Sequence, residues 1–126
     1  MTPTTINASD APEAIGPYSH AAQVGDLLFC SGQVPLNPSS MKLVEGIEEQ
    51  TRQVFVNLSA VLAAADCTFN DVAKTTIFLT DMADFPTVNA IYAETFGDHK
   101  PARATVAVAG LPLGAMVEIE CIAHKG

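Results

Sequence analysis

From Met116 to Ala123 the chain reads Met-Val-Glu-Ile-Glu-Cys-Ile-Ala, and this run restricts the possible fold more than any other. Its alternation predicts a β-strand. Met116 and Ile122 share one parity with Glu118 and Glu120, while Val117, Ile119 and Cys121 take the other, so apolar groups stand on both sides. Such a strand does not suit a sheet with one dry and one wet face. It needs a covering layer on one side and, on the other, a further apolar surface that a monomer does not supply. Self-association through an open sheet face is the expectation.

The stretch leading into this strand carries a second constraint. Ala104–Val108 reads as a strand, and Gly110, Pro112 and Gly114 then supply turn residues, so 101–120 reads as two strands joined by a Gly/Pro turn. Arg103, one of two arginines in the chain, stands at the mouth of the first. Upstream, Thr4–Ala8 is a short candidate strand and Ala11–Ser19 a Pro/Gly-rich loop closed by Tyr18. Ala21–Val24 and Leu27–Ser31 are strands around a Gly25-Asp26 turn, and Gly32 permits a bulge or a close backbone approach. Val34–Val44 has no apolar period and reads as a loop.

From Gly46 to Ala65 the spacing changes to threes and fours. Ile47, Val54, Phe55, Leu58, Val61, Leu62 and Ala65 make one face of a long amphipathic helix. Glu48 and Glu49 suit its N-terminal dipole, and Glu48 lies four residues before Arg52, which gives that arginine a local surface role. Asp66–Asp71 is a connector and Val72–Leu79 a β-branched strand. A second helix follows, with Asp84 as candidate cap, Pro86 in its first turn, and Phe85, Val88, Tyr92 and Phe96 as its apolar stripe. Gly97 stops it. Asn89 shares a face with Phe85 and Tyr92. The order strand-strand-strand-helix, then strand-helix-strand-strand, predicts an α+β two-layer sandwich with a mixed β-sheet and two helices packed on one face. A single domain over 1–126 is expected.

Composition excludes several function classes. No apolar run approaches the ~20 residues of a membrane span, and no basic, apolar leader is visible, which points to a cytoplasmic protein. Fourteen acids against six dispersed bases give a net charge of −8, a poor match to a nucleic-acid phosphate backbone. Cys30, Cys67 and Cys121 lack CxxC spacing and read as reduced, buried thiols. His20, His99 and His124 are scattered, so no metal site is expected.

The remaining chemistry is limited. Arg103 either pairs with Glu118 or Glu120 or receives a ligand carboxylate through its planar fork. One of the two glutamates, if buried, has a raised pKa and can move a proton near neutrality; their parity does not separate them. Tyr18, after a stiff Gly-Pro, either packs or lines a small pocket. No phosphate loop, dinucleotide fingerprint or nucleophile elbow is present.

Four ordered segments resemble the RidA (YjgF-type) family of reactive-intermediate enamine/imine deaminases, nearly end to end. They are Ile15-Gly16-Pro17-Tyr18-Ser19, Ser31-Gly32-Gln33-Val34-Pro35, Asp84-Phe85-Pro86-Thr87-Val88-Asn89, and Pro101-Ala102-Arg103 followed by core positions Val106 and Leu111 and by Val117-Glu118-Ile119. The resemblance implies a chorismate-mutase-like homotrimer with clefts between subunits and no cofactor. It implies hydrolysis of 2-imino or enamine acids to 2-keto acids and ammonia. By position, Arg103 would hold the substrate carboxylate and Glu118 would be the acid beside the water. Tyr18 and Asn89 would line the pocket, and Ser31, the Gly32 backbone and the Thr105 carbonyl would contact substrate or water. A keto-acid-binding module without turnover is the alternative; a ribonuclease or translation inhibitor fits the charge less well. Two positions depart from the family: Thr105 stands where many members have cysteine, and Lys100 where many have an apolar or aromatic residue at the pocket rim.

Overall fold

The computed structural model describes residues 2–126; the first residue of the expected domain lies outside them. Six strands form one sheet: β1 (Thr4–Ile6), β2 (Ala21–Val24), β3 (Leu27–Gln33), β4 (Val72–Leu79), β5 (Ala102–Ala107) and β6 (Val117–His124). Two helices, α1 (Ile47–Ala64) and α2 (Phe85–Phe96), follow β3 and β4. The sheet order is β1-β2-β3-β6-β4-β5. Among the described residues only β4 and β5 run parallel, since α2 carries the chain from one to the other.

This order corrects one expectation. β5 and β6 are not a hairpin: β4 lies between them, parallel to β5 and antiparallel to β6. A Gly/Pro-rich connection looks the same in sequence whether its strands pair or flank a third. The crossover helix decides, because it delivers β5 to the outer side of β4. β5 is therefore an edge strand.

The core lies between sheet and helices. Val54, Phe55, Leu58, Val61, Leu62 and Ala65 are buried, as the helical spacing predicts. They meet Leu28, Cys30, Ile77, Leu79, Val117, Ile119 and Cys121 from the strands. Each fully buried Leu or Ile side chain contributes roughly 1.5–3 kcal/mol. Phe55 packs edge-on against Phe69, Tyr92 and Phe96, joining the two helices. All three cysteines are buried and free. Cys30 and Cys121 face each other across β3 and β6, and their mutual hydrogen bond, followed by burial, pushes the Cys121 thiol up.

Polar groups inside this layer were not legible as such. Asn57, fully buried, donates to the Val34 and Leu36 carbonyls at 3.1 and 3.0 Å. Gln50 donates to Val44 O and accepts from the Met116 amide. α1 thus holds the 34–44 loop, itself closed by a Leu36–Leu43 bridge, through backbone groups. Gly97 stops α2 with φ 62°, a conformation glycine adopts without a Cβ penalty. Asp84 does not cap α2 through its side chain; Asp81 instead accepts from the Ala83 amide in a short 3-10 turn before the helix. Arg52 meets Glu48 at 3.5 Å, as expected, and also Glu94 at 3.1 Å.

The other sheet face has no helix. Leu27, Phe29 and Val106 are 40, 42 and 42% exposed there, with Phe78 and Ile122 half-buried beside them. Val106 is thus not a core residue of the single chain. The expected second apolar face is present.

Candidate active site

Arg103 pairs in register with Thr75 of β4, which is fully buried toward the helices. Its side chain therefore lies on the helix side of the edge strand. The guanidinium carbon sits 4.7 Å from the Tyr92 ring centre and 5.3 Å from that of Phe85. Its Nη1 donates to Asn89 Oδ1 at 2.7 Å. The i, i+4, i+7 spacing of Phe85, Asn89 and Tyr92 puts all three on one face of α2, and that face is a seat for the arginine. Tyr92 is itself fixed by a 2.8 Å bond with Thr75 Oγ1. Burial pushes its phenol up, against smaller opposing effects of that bond and of Arg103, so the ring stays neutral. Held by stacking and one amide, the exposed guanidinium keeps N–H groups free to accept a carboxylate.

No ion pair joins Arg103 to Glu118 or Glu120 among the described residues. The sheet forbids it. Glu118 pairs with Phe78 of β4, three residues from Thr75, and three residues along a strand lead to the opposite face. Two strand spacings and three residues also separate the backbones by about 14 Å. Within one chain the two residues stand back to back.

The two glutamates differ. Glu118 is half-buried and Glu120 exposed. Burial, then the nearby Glu120 charge, raises the Glu118 pKa, so its carboxyl exchanges a proton more readily near neutrality than an ordinary glutamate. Its neighbour is Gly32. The β3–β6 register breaks between Cys30 and Gln33, the anticipated bulge. A Cβ on Gly32 would lie 2.6 Å from Glu118 Oε2 and 2.8 Å from its Cδ. Gly32→Ala is therefore expected to leave the fold intact, because a flexible carboxylate end can swing away. Displacing that carboxylate by an ångström or more is expected to cost about tenfold to a hundredfold in turnover. Steady-state kinetics beside a melting curve checks this: unaltered kcat would remove Glu118 from the reaction.

The other expected residues fall into the same two groups. Tyr18 is exposed on the loop before β2 and borders a hollow shared with Ser19, Phe29 and Ser31. Ser31 donates its hydroxyl to Ser19 O at 2.7 Å, so toward a ligand it can act only as an acceptor while that bond holds. His20, which sequence reasoning set aside, anchors this loop: its Nδ1 accepts from the Ala8 amide at 2.9 Å and its Nε2 donates to Pro12 O at 2.8 Å. No spacing signal marks that role, because both partners are backbone atoms.

Thr105 belongs with Arg103. The Val108 amide bonds Leu79 O across β4. Strand alternation then turns the backbone groups of Thr105, three residues earlier, away from β4 to the free edge. Arg103 and Asn89, with Tyr92, Phe96 and Lys100, border a cleft of about 430 Å³. The chain thus carries a stacked guanidinium beside a cleft on one side of the sheet, and a half-buried acid against Gly32 on the other. Among the described residues no group of three or more His, Cys, Asp or Glu could hold a metal ion, and no helix is long and apolar enough to cross a membrane.

Known proteins share this architecture. Residues 8–125 match the family model described as Endoribonuclease L-PSP. The 2-iminobutanoate/2-iminopropanoate deaminase of Mus musculus is 52% identical over 122 residues, covering 96% of this chain and 90% of that protein. A RutC family protein of Pyrococcus horikoshii is 49% identical, covering 95% and 96%. RidA from an Antarctic Psychrobacter superposes with a TM-score of 0.94 at 43% identity, covering 96% and 98%. E. coli TdcF with bound serine does so at 0.93 and 36%, covering 98% and 99%. The resemblance carried by the four sequence segments is borne out: the chain belongs to the YjgF/RidA family.

Proposed function

We propose that the protein hydrolyses 2-imino and enamine acids, of the 2-aminoacrylate and 2-iminobutanoate type, to 2-keto acids and ammonia. It does so as a homotrimer in which the Arg103 half-site of one subunit closes on the Glu118 half-site of the next. The observation that carries this reading is the back-to-back placement of a prepared carboxylate receiver and a raised-pKa acid on one sheet. Only a second copy can bring them to one ligand. The exposed Leu27, Phe29 and Val106 give that copy an apolar surface to cover.

The chemistry follows from these groups. Arg103 holds the planar acid through two parallel hydrogen bonds, and Asn89 and Tyr18 line the cavity. The Glu118 carboxylate takes a proton from a water as its oxygen attacks the electrophilic imine carbon, with the Thr105 carbonyl orienting that water. Protonated nitrogen then leaves as ammonia while the carbinolamine hydroxyl collapses to the keto group. Its proton returns through Glu118. Imine plus water gives ketone plus ammonia, with no change of oxidation state, so no cofactor is required. The free, buried thiols suit a reducing, cytoplasmic compartment.

Coupling purified protein to a threonine dehydratase and following imine decay tests the reading: accelerated decay that depends on Arg103 and Glu118 supports it, and absence of acceleration overturns it. The serine bound to TdcF favours a second reading, a sensor that recognises small carboxylated ligands without turnover. It predicts Arg103-dependent binding of keto acids with no role for Glu118. RNA cleavage, named in the family description, fits less well with a net charge of −8 and only six bases in the chain.

A further inference from the structure

The cleft beside Arg103 contains a second cation. In a chain with more than twice as many acids as bases, Lys100 and Arg103 line this cleft with no acid among the other lining residues, although exposed Asp98 lies two residues before Lys100. Arg103 has its amide and aromatic seat, whereas Lys100 is exposed and makes no ion pair among the described residues. The backbone around Lys100 is constrained on both sides. His99 Nε2 bonds Val72 O at 2.6 Å, and Pro101 has a fixed φ. Lys100 and Arg103 are three residues apart, at most about 10 Å between Cα atoms, and both stems are long enough to converge on one small molecule.

A monocarboxylate ligand satisfies Arg103 and leaves the Lys100 ammonium with water. An acid bearing a second carboxylate satisfies both: the planar fork takes the α-carboxylate, and the mobile ammonium, a point charge, follows the side-chain carboxylate. We propose that Lys100 directs the protein toward 2-imino and enamine dicarboxylic acids, the kind formed from aspartate or glutamate. The inference rests on the imine-hydrolase reading and names the substrate class within it. Lys100 touches the remote carboxylate rather than the reacting carbon, so its effect belongs in KM and not in kcat.

The test compares 2-iminosuccinate, generated in situ by an aspartate oxidase, with 2-iminobutanoate, using wild type, Lys100→Met and Lys100→Arg. The ratio of kcat/KM for the diacid over the monoacid is expected to fall about fivefold in Lys100→Met, as one solvent-exposed ion pair allows. The change is expected in KM, and Lys100→Arg is expected to restore most of the ratio. An unaltered ratio, or a fall that Lys100→Arg does not restore, overturns the proposal. Calorimetry with 2-oxoglutarate and 2-oxobutanoate on the same variants separates the two layers of argument. If no imine is hydrolysed, the hydrolase reading fails, and selective loss of 2-oxoglutarate affinity in Lys100→Met still supports the diacid site. Equal affinities for the two keto acids in wild type would overturn it.

Discussion

Glu118→Gln is expected to lower kcat about 10²–10⁴-fold, the usual contribution of a positioned acid–base group, while raising the melting temperature at pH 7. The two effects have one cause. Burial and the Glu120 charge disfavour the ionised form, so the folded chain holds the Glu118 proton more tightly than the unfolded chain does. Stability from that proton is fully present below the ordinary carboxylate pKa and is lost as pH rises through the raised value. At neutral pH the wild type therefore carries a half-buried charge that glutamine lacks. A gain of about 1–2 °C is expected at pH 7, shrinking as the pH falls through the raised value and gone below the ordinary glutamate range. Kinetics and melting curves on one preparation check both. An inactive variant that melts lower at pH 7 would mean that the carboxylate holds the structure together, and a fully active one would remove it from the chemistry.

Arg103→Ala is expected to lower kcat/KM about 10²–10³-fold, the loss of two charge-assisted hydrogen bonds to a carboxylate after discounting for solvent. Arg103→Lys keeps the charge and loses the fork, so an intermediate loss, about tenfold, is expected. The fold depends little on this residue. Arg103 is exposed on an edge strand, and its contacts to Tyr92, Phe85 and Asn89 are of the half-exposed kind, each worth about 0.5–1 kcal/mol. Retained melting behaviour with lost activity is the expected pair of results. An alanine variant with unchanged KM and kcat would leave the stacked guanidinium without a ligand to explain it.

Parts of this architecture are legible in the sequence because they depend on neighbours in the chain. β4 is a β-branched run and coincides with the expected Val72–Leu79. The α1 face follows from spacings of three and four, and Gly97 marks the end of α2. Features set by distant contacts are not legible. The insertion of β4 between β5 and β6 depends on where α2 crosses, so the apparent hairpin at 101–120 misleads. Asn57, Gln50 and His20 have mainly backbone partners in loops, which no periodicity reports. Parity does not separate the two glutamates; the family resemblance picked Glu118, and the physical difference is that Gly32 admits Glu118 beneath the bulge while Glu120 stays in solvent. The acid and the arginine each had a sequence signal, but their opposite faces emerged only from the β4 register.

That opposition is the centre of the account, and subunit mixing measures it directly. Arg103→Ala and Glu118→Gln chains are each expected to be nearly inactive alone. Co-refolded in equal amounts, they should regain about a quarter of wild-type activity, since each site needs an intact Arg103 from one subunit and an intact Glu118 from the next, each present with even odds. A mixture as inactive as its components would contradict a site shared between subunits.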